Sequence, residues 1–158
     1  MSTQPRPVAP ATAPTASSAK VTRVNHRVGF YQTDAMGIMH HANYAHLLEN
    51  ARVAFLAEHD EPYVRYVDAG LHFAVTKVEI EYLRPARFDD DVCTTVWIEW
   101  VRFASLGIAY ELSVEGKVIA RARTEHAMVN DKGNATRIPR EKRMRLAAAS
   151  RTDGSPAP

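Results

Sequence analysis

The stretch from Phe30 to Tyr44, FYQTDAMGIMHHANY, holds one carboxylate, Asp34, and two adjacent imidazoles, His40 and His41. A carboxylate so placed can serve as a general base toward water, or as a nucleophile that forms a mixed anhydride with an acyl group. The residues alone leave both routes open, and they also leave open the ordinary use of a loop aspartate as the cap of a turn. Gly37 follows three residues later, and without a Cβ it lets the chain turn tightly and lets a ligand approach the backbone. Asn43 and Tyr44 then open a helical pattern. A helix start carries unpaired N–H groups and about half a positive charge, which suits a developing oxyanion. The backbone N–H near His41 is the candidate donor. The His41 ring can orient a leaving group, a water or the carboxylate; equally, it can bond a backbone carbonyl as a structural group. Adjacent histidines are poorly spaced as metal ligands on a helix, where i, i+4 is usual, and His46 is a weaker ligand still, so no metal is expected.

The elements that must hold this loop can be read from periodicity. Residues 21–31 alternate as a strand, with Val24, His26, Val28 and Phe30 on one face. A helix is expected from Asn43, as N-cap, to His59. Its stripe is Tyr44, Leu47, Leu48, Ala51 and Phe55, and Ala45, Val53, Ala54 and Leu56 widen it on the flanks. Such a helix needs cover on more than one side. Strands are expected over 72–84, 92–101, 105–114 and 117–129. In the first, Val78, Ile80 and Tyr82 share a face; in the last, Val118, Ala120, Ala122 and Thr124 face inward. Glu115-Gly116 is the turn between the last two, a loop with Pro62 and Gly70 follows the long helix, and a short basic helix covers 138–146. One helix cannot cover both faces of a five-stranded sheet. The expected fold is α+β, a curved antiparallel sheet wrapped around one long central helix, with edges and an outer face that invite a second copy of the chain.

Composition narrows the setting. The chain has 158 residues, 46% of them hydrophobic, which suits one domain with a real core. A net charge of +2 makes no case for nucleic acid or a membrane surface, and no apolar run reaches the ~20 residues of a membrane helix. The one cysteine, Cys93, excludes an intrachain disulfide, reads as a core filler and fits a reducing, cytoplasmic home. Residues 1–20 and 147–158 are poor in periodic apolar residues and are expected as disordered tails around a domain at 21–146. The first tail lacks the apolar centre of a secretory signal, and its arginines are too few for a good transit helix.

Together the loop and the element order resemble the hotdog fold, and more narrowly the 4-hydroxybenzoyl-CoA thioesterase-like acyl-CoA thioesterases. That family's loop has an aromatic, Thr-Asp, a Gly, two apolar residues, an aromatic or His, and Asn-Tyr opening the helix. Here these are Tyr31, Thr33-Asp34, Gly37, Ile38-Met39, His40-His41 and Asn43-Tyr44. The segments LLENARVAFL, VEIEYLRPARFDDDV and ARARTEHAMVNDKGNATRIP resemble the family's as well, so the likeness covers about residues 22–146. His40 departs from the pattern, since an aromatic is common there, and this bears on the shape of an acyl pocket.

The resemblance implies hydrolysis of an acyl-CoA thioester without a cofactor. Asp34 would be the catalytic carboxylate and His41 the site of the oxyanion donor. Gly37, Ile38, Met39, His40 and Tyr44 would be substrate-binding, with the acyl group against Ile38, Met39 and Tyr44. The phosphates of coenzyme A call for basic residues, for which Arg84 and Arg87 are the first candidates and the cluster Arg137, Arg140, Lys142, Arg143 and Arg145 the second. A homodimer or homotetramer with the site at the interface is expected, and an acyl carrier protein is a possible alternative thiol carrier. Some hotdog thioesterases carry the essential acid on the central helix. Glu49 lies there, but it precedes Arg52 by three residues, the spacing of a common ion pair. A hotdog hydratase or dehydratase and a non-catalytic acyl-CoA-binding protein are the rival readings.

Overall fold

The computed structural model describes residues 19–150. The expected tails at 1–18 and 151–158 lie outside the described residues. The chain runs β1 (Thr22–Arg27), α1 (Ala42–His59), α2 (Tyr63–Asp68), β2 (Leu71–Tyr82), β3 (Asp91–Val101), β4 (Ser105–Val114), β5 (Lys117–Asn130) and α3 (Arg140–Ala149). The strands form one five-stranded sheet in the order β1-β3-β4-β5-β2, and every pair is antiparallel.

Period-2 alternation decides which side of the sheet meets the helix. Val92, Val96 and Ile98 of β3, Leu106, Ile108, Tyr110 and Leu112 of β4, and Ala120, Ala122 and Met128 of β5 share the core with α1. On α1 the buried residues are Tyr44, Leu47, Leu48, Ala51, Arg52, Phe55 and Leu56, a continuous i, i+3, i+4 stripe. The helix has 18 residues and spans about 27 Å at 1.5 Å per residue. Each large apolar side chain buried along it contributes about 1.5–3 kcal/mol. The opposite face of the sheet has a smaller cluster, Trp97 with Ala109, and cross-strand pairs Arg121–Glu111 and Arg123–Glu99 at 3.4 and 3.0 Å. Gly107 is required on β4, because a Cβ there would come within 2.2 Å of the Trp100 ring nitrogen.

Several expectations are corrected. Phe30 does not continue the buried face of the first strand. The chain leaves extended geometry in a 3-10 turn at Phe30–Gln32, which leaves Phe30 77% exposed and buries Gln32 instead. Asn43 is not the N-cap. The helix begins at Ala42 with His41 as N-cap, and the Asn43 amide donates to the Gln32 carbonyl at 2.9 Å. Cys93 is half-buried and lies on the face of β3 away from α1. The loop after α1 contains a six-residue helix, α2, whose Tyr66 is buried. Val78 and Tyr82 lie on an edge strand, and about half their surface is exposed. The last helix begins two residues later than expected and runs three residues further, so 147–149 are helical rather than tail. Leu146 and Ala149 are buried, and the Lys20 N–H donates to the Ala149 carbonyl, tying the start of the fold to its end.

Candidate active site

The loop between β1 and α1 is built by its own backbone bonds. Gln32 is the anchor. Its side-chain oxygen accepts from the Gly29 N–H at 2.9 Å and pairs with His26 Nε2 at 2.7 Å, while its carbonyl accepts from His40 N–H and the Asn43 amide. From there the chain makes a small hairpin. Thr33 bridges Met39, the Asp34 N–H donates to the Ile38 carbonyl, and the Gly37 N–H donates back to the Asp34 carbonyl. Gly37 has a φ of 71°, which a side chain would make costly. Met39 N–H donates to the Ala86 carbonyl, and Ile38 bridges Arg87, so the hairpin lies against the turn after β2.

Asp34 is half-buried at the tip of this hairpin. Its Oδ1 accepts from the Met36 N–H at 2.8 Å, as a turn-capping aspartate does, and its Oδ2 has no partner among the described residues. Both sequence readings of this residue are therefore compatible in one side chain: one oxygen closes the turn and the other is available. At the helix start, the Ala42 N–H donates to His40 Nδ1 at 3.2 Å, Asn43 N–H to the His40 carbonyl and Tyr44 N–H to the His41 carbonyl. The His41 N–H has no acceptor among the described residues. The His40 and His41 rings lie against each other, tilted by 32° with centroids 4.1 Å apart.

A cleft of about 270 Å³ gathers these groups. Asp34, Ile38, Met39, His41, Tyr44 and Arg84 all line it. Met36, Tyr82, Leu83 and Pro85, which sequence reasoning did not single out, complete the wall. The Tyr44 and Tyr82 rings meet edge to face at 4.9 Å, and the Tyr82 hydroxyl donates to the His41 carbonyl at 3.3 Å. Burial pushes the Tyr44 phenol above its ordinary value, with the Ala86 backbone pulling it part of the way back, so it stays protonated. Gly37 and His40 shape the loop from just outside the cleft wall. Arg87 is exposed and lines neither this cleft nor the groove beside it.

That groove, about 540 Å³, shares Leu83 and Arg84 with the cleft and continues along Lys117, Val118 and Arg121. Arg84 is held there by a 2.6 Å bond from its guanidinium to the Val118 carbonyl. Lys117 and Arg121 were missed as candidates; the start of β5 lies beside the end of β2 through the Tyr82–Ala120 register, which no local pattern signals. The C-terminal basic cluster is used differently. Lys142 pairs with Glu61 and Arg145 with Asp60, which also accepts from the Tyr66 hydroxyl, and Arg143 sits over the Phe103 ring. Glu49 is largely exposed, sits 4.0 Å from Arg52 and is not part of the Asp34 cleft.

A five-stranded antiparallel sheet in this order, packed on one long helix, is the architecture that the resemblance implied. Residues 28–148 match the thioesterase-like superfamily. A putative esterase of Aquifex aeolicus is 36% identical over 115 residues, which is 73% of this chain and 89% of that protein. The acyl-CoA thioester hydrolase YbgC of Escherichia coli is 38% identical over 64 residues, 40% of this chain and 48% of that one. Among solved structures, a gentisyl-coenzyme A thioesterase superposes with a TM-score of 0.75 at 25% identity, covering 80% of this chain and all of the other. The chain belongs to the thioesterase-like superfamily and is a hotdog-fold thioester hydrolase of the acyl-CoA thioesterase kind. No helix among the described residues is long and apolar enough to cross a membrane.

Proposed function

We propose that Asp34 and the head of α1 hydrolyse an acyl-CoA thioester to the free acid and coenzyme A. The observation that carries this reading is the convergence on one cleft of the Asp34 carboxylate, with Oδ2 available, and His41, whose backbone N–H has no partner among the described residues. The thioester carbonyl oxygen points at the His41 N–H, which stabilises the charge of the tetrahedral intermediate with help from the helix dipole. Asp34 takes a proton from water as the water oxygen bonds to the carbonyl carbon. The carbon–sulfur bond then breaks, and the departing thiolate receives that proton. If Asp34 attacks directly, the thiolate leaves first and water cleaves the resulting anhydride; both routes end in the same products. The His41 ring stands on the cleft wall to orient the leaving sulfur.

The acyl group lies against Ile38, Met39 and Tyr44. The diphosphate and 3′-phosphate of coenzyme A follow the adjoining groove, where Arg84, Lys117 and Arg121 supply positive charge. The same basic groove suits the acidic surface of an acyl carrier protein, so the two thiol carriers are to be compared directly. A second copy of the chain completes the cleft at its exposed Tyr82 and Leu83 wall, at the end of the edge strand β2. The test is thiol release from a panel of acyl-CoAs, with Asp34→Asn and Glu49→Gln beside the wild type. General-base or nucleophilic loss predicts a fall of about 10²–10⁴-fold for Asp34→Asn with an unchanged fold. Full activity in Asp34→Asn, or abolition by Glu49→Gln alone, refutes the assignment. Loss of enoyl absorbance without thiol release would indicate a hydratase, and tight binding without turnover an acyl-CoA sensor.

A further inference from the structure

A second cavity, about 100 Å³, opens between α1 and the sheet below the candidate active site. Its apolar wall is Ala45, Leu48, Val75 and Val78. Its polar end is Arg52, buried in the middle of the α1 stripe with only 9% of its side chain exposed. A buried guanidinium normally satisfies its five donors, because an unpaired charge in the interior is costly. Arg52 does not. It makes no hydrogen bond among the described residues, and its buried Nη1 has no partner. Its one ion pair is a 4.0 Å approach to Glu49, a side chain 66% exposed, and its one ring contact is with Tyr63 at 5.9 Å.

Among the described residues the groups facing it make no hydrogen bond to it, and the buried Nδ1 of His126 also has no partner. His126 is buried and bonded through Nε2 to Thr124 Oγ1 at 2.8 Å, and Thr124 pairs with the Tyr110 hydroxyl at 3.0 Å. The His126 imidazole is held down to about 3, by burial first and by the Arg52 charge second, with the Phe73 backbone pulling weakly the other way. The Tyr110 phenol is pushed up to about 12 by burial, against the pull of Thr124 and Arg52. Both groups are neutral. Among the described residues the cavity has a positive end, and the one acidic side chain that lines it is the largely exposed Glu49.

The two depressions share no lining residue but draw on the same two elements: Tyr44 of α1 and Tyr82 of β2 line the first, and Ala45, Leu48 and Arg52 of α1 with Val75 and Val78 of β2 line the second. We propose that this cavity is the far end of the acyl pocket and that Arg52 recognises an acyl group ending in a carboxylate. The inference rests on the acyl-CoA hydrolase reading above. Helix geometry sets the length. At 1.5 Å per residue, Ala45 and Arg52 lie about 6 and 16 Å from His41 along the axis, and Arg52 leans back toward the helix head, which matches an acyl chain of roughly six to eight carbons. The apolar wall takes the methylenes. The planar, always-charged guanidinium takes two carboxylate oxygens at once, which an alkyl terminus cannot replace.

The test separates the two readings by using ligands that cannot be hydrolysed. S-(5-carboxypentyl)-CoA and S-hexyl-CoA are thioethers that differ only in the terminal group. Calorimetric titration of the wild-type protein is expected to show the carboxylated ligand binding at least tenfold more tightly. In Arg52→Met, or in Arg52→Gln if the first variant does not fold, that preference is expected to vanish or invert. Glu49→Gln removes the competing carboxylate and is expected to widen it. Equal affinities in the wild type, or a preference that survives the loss of Arg52, overturn the inference. Thiol release is read separately across the acyl-CoA panel, hexanoyl-CoA and adipyl-CoA included: its absence from every member would refute the hydrolase reading, whatever the thioethers show.

Discussion

Replacing Arg52 with methionine should make the ligand-free protein more stable, which is the reverse of what most buried substitutions do. The sign follows from the structure. Methionine keeps an unbranched stem in the α1 stripe, between Leu48 and Phe55, and deletes only the guanidinium. That group has no hydrogen bond among the described residues, and its only charge partner is 4.0 Å away and mostly in solvent. A long pair to a mostly solvated carboxylate is worth about 0–1 kcal/mol, whereas desolvating the cation costs several kcal/mol. The balance favours the variant by about 1–3 kcal/mol. For a chain of this size each kcal/mol shifts Tm by about 2–4 °C, so a rise of about 2–12 °C is expected. Thermal unfolding followed by far-UV circular dichroism, at matched concentration and oligomeric state, reads it directly. A fall in Tm refutes the reasoning, because it would mean that the guanidinium is paired in the assembled protein. The stabilised variant should also lose its preference for a carboxylated acyl group, a trade between stability and recognition that is common at binding sites.

Two further outcomes follow from other parts of the fold. His126 is neutral in the folded protein and titrates near 3 rather than 6.5, so the unfolded chain binds more protons between those values. Its stabilising contribution is complete above about pH 6.5 and declines as pH falls toward 3; denaturant titrations across that window should show a shallower slope in His126→Leu, and an unchanged slope would show that the imidazole does not titrate as stated. In the groove beside the cleft, Lys117→Glu with Arg121→Glu should raise KM for acyl-CoA about tenfold or more at low salt with little change in kcat, and the difference should shrink as salt increases; insensitivity of KM would remove this groove as the phosphate site.

The parts legible in the sequence were those carried by local periodicity. The α1 stripe from Tyr44 to Phe55, the alternation of β5 and the turn at Gly116 each repeat over enough residues to be read without knowing the tertiary contacts. The Asp34 loop was legible because its residue types are unusual together, and the structure brings Asp34, Ile38, Met39, His41, Tyr44 and Arg84 to one cleft. What escaped was non-local or short. The α2 segment has six residues, too few to show a helical period. Alternation carried Phe30 inward because it cannot register the 3-10 turn that Gln32 stabilises. Arg52 was hidden by its neighbour. Three residues after Glu49 it reads as half of a surface ion pair, and only the apolar period on both sides of it, Leu48 before and Phe55 after, hints that it faces the core. Its companions come from distant strands. β4 pairs Tyr110 with Ala122 and Ile108 with Thr124, and that register alone places His126, Thr124 and Tyr110 around one guanidinium. Arg52 is thus a cation that local pattern assigns to solvent and that packing buries without an acceptor among the described residues, and the carboxylate proposal rests on that mismatch.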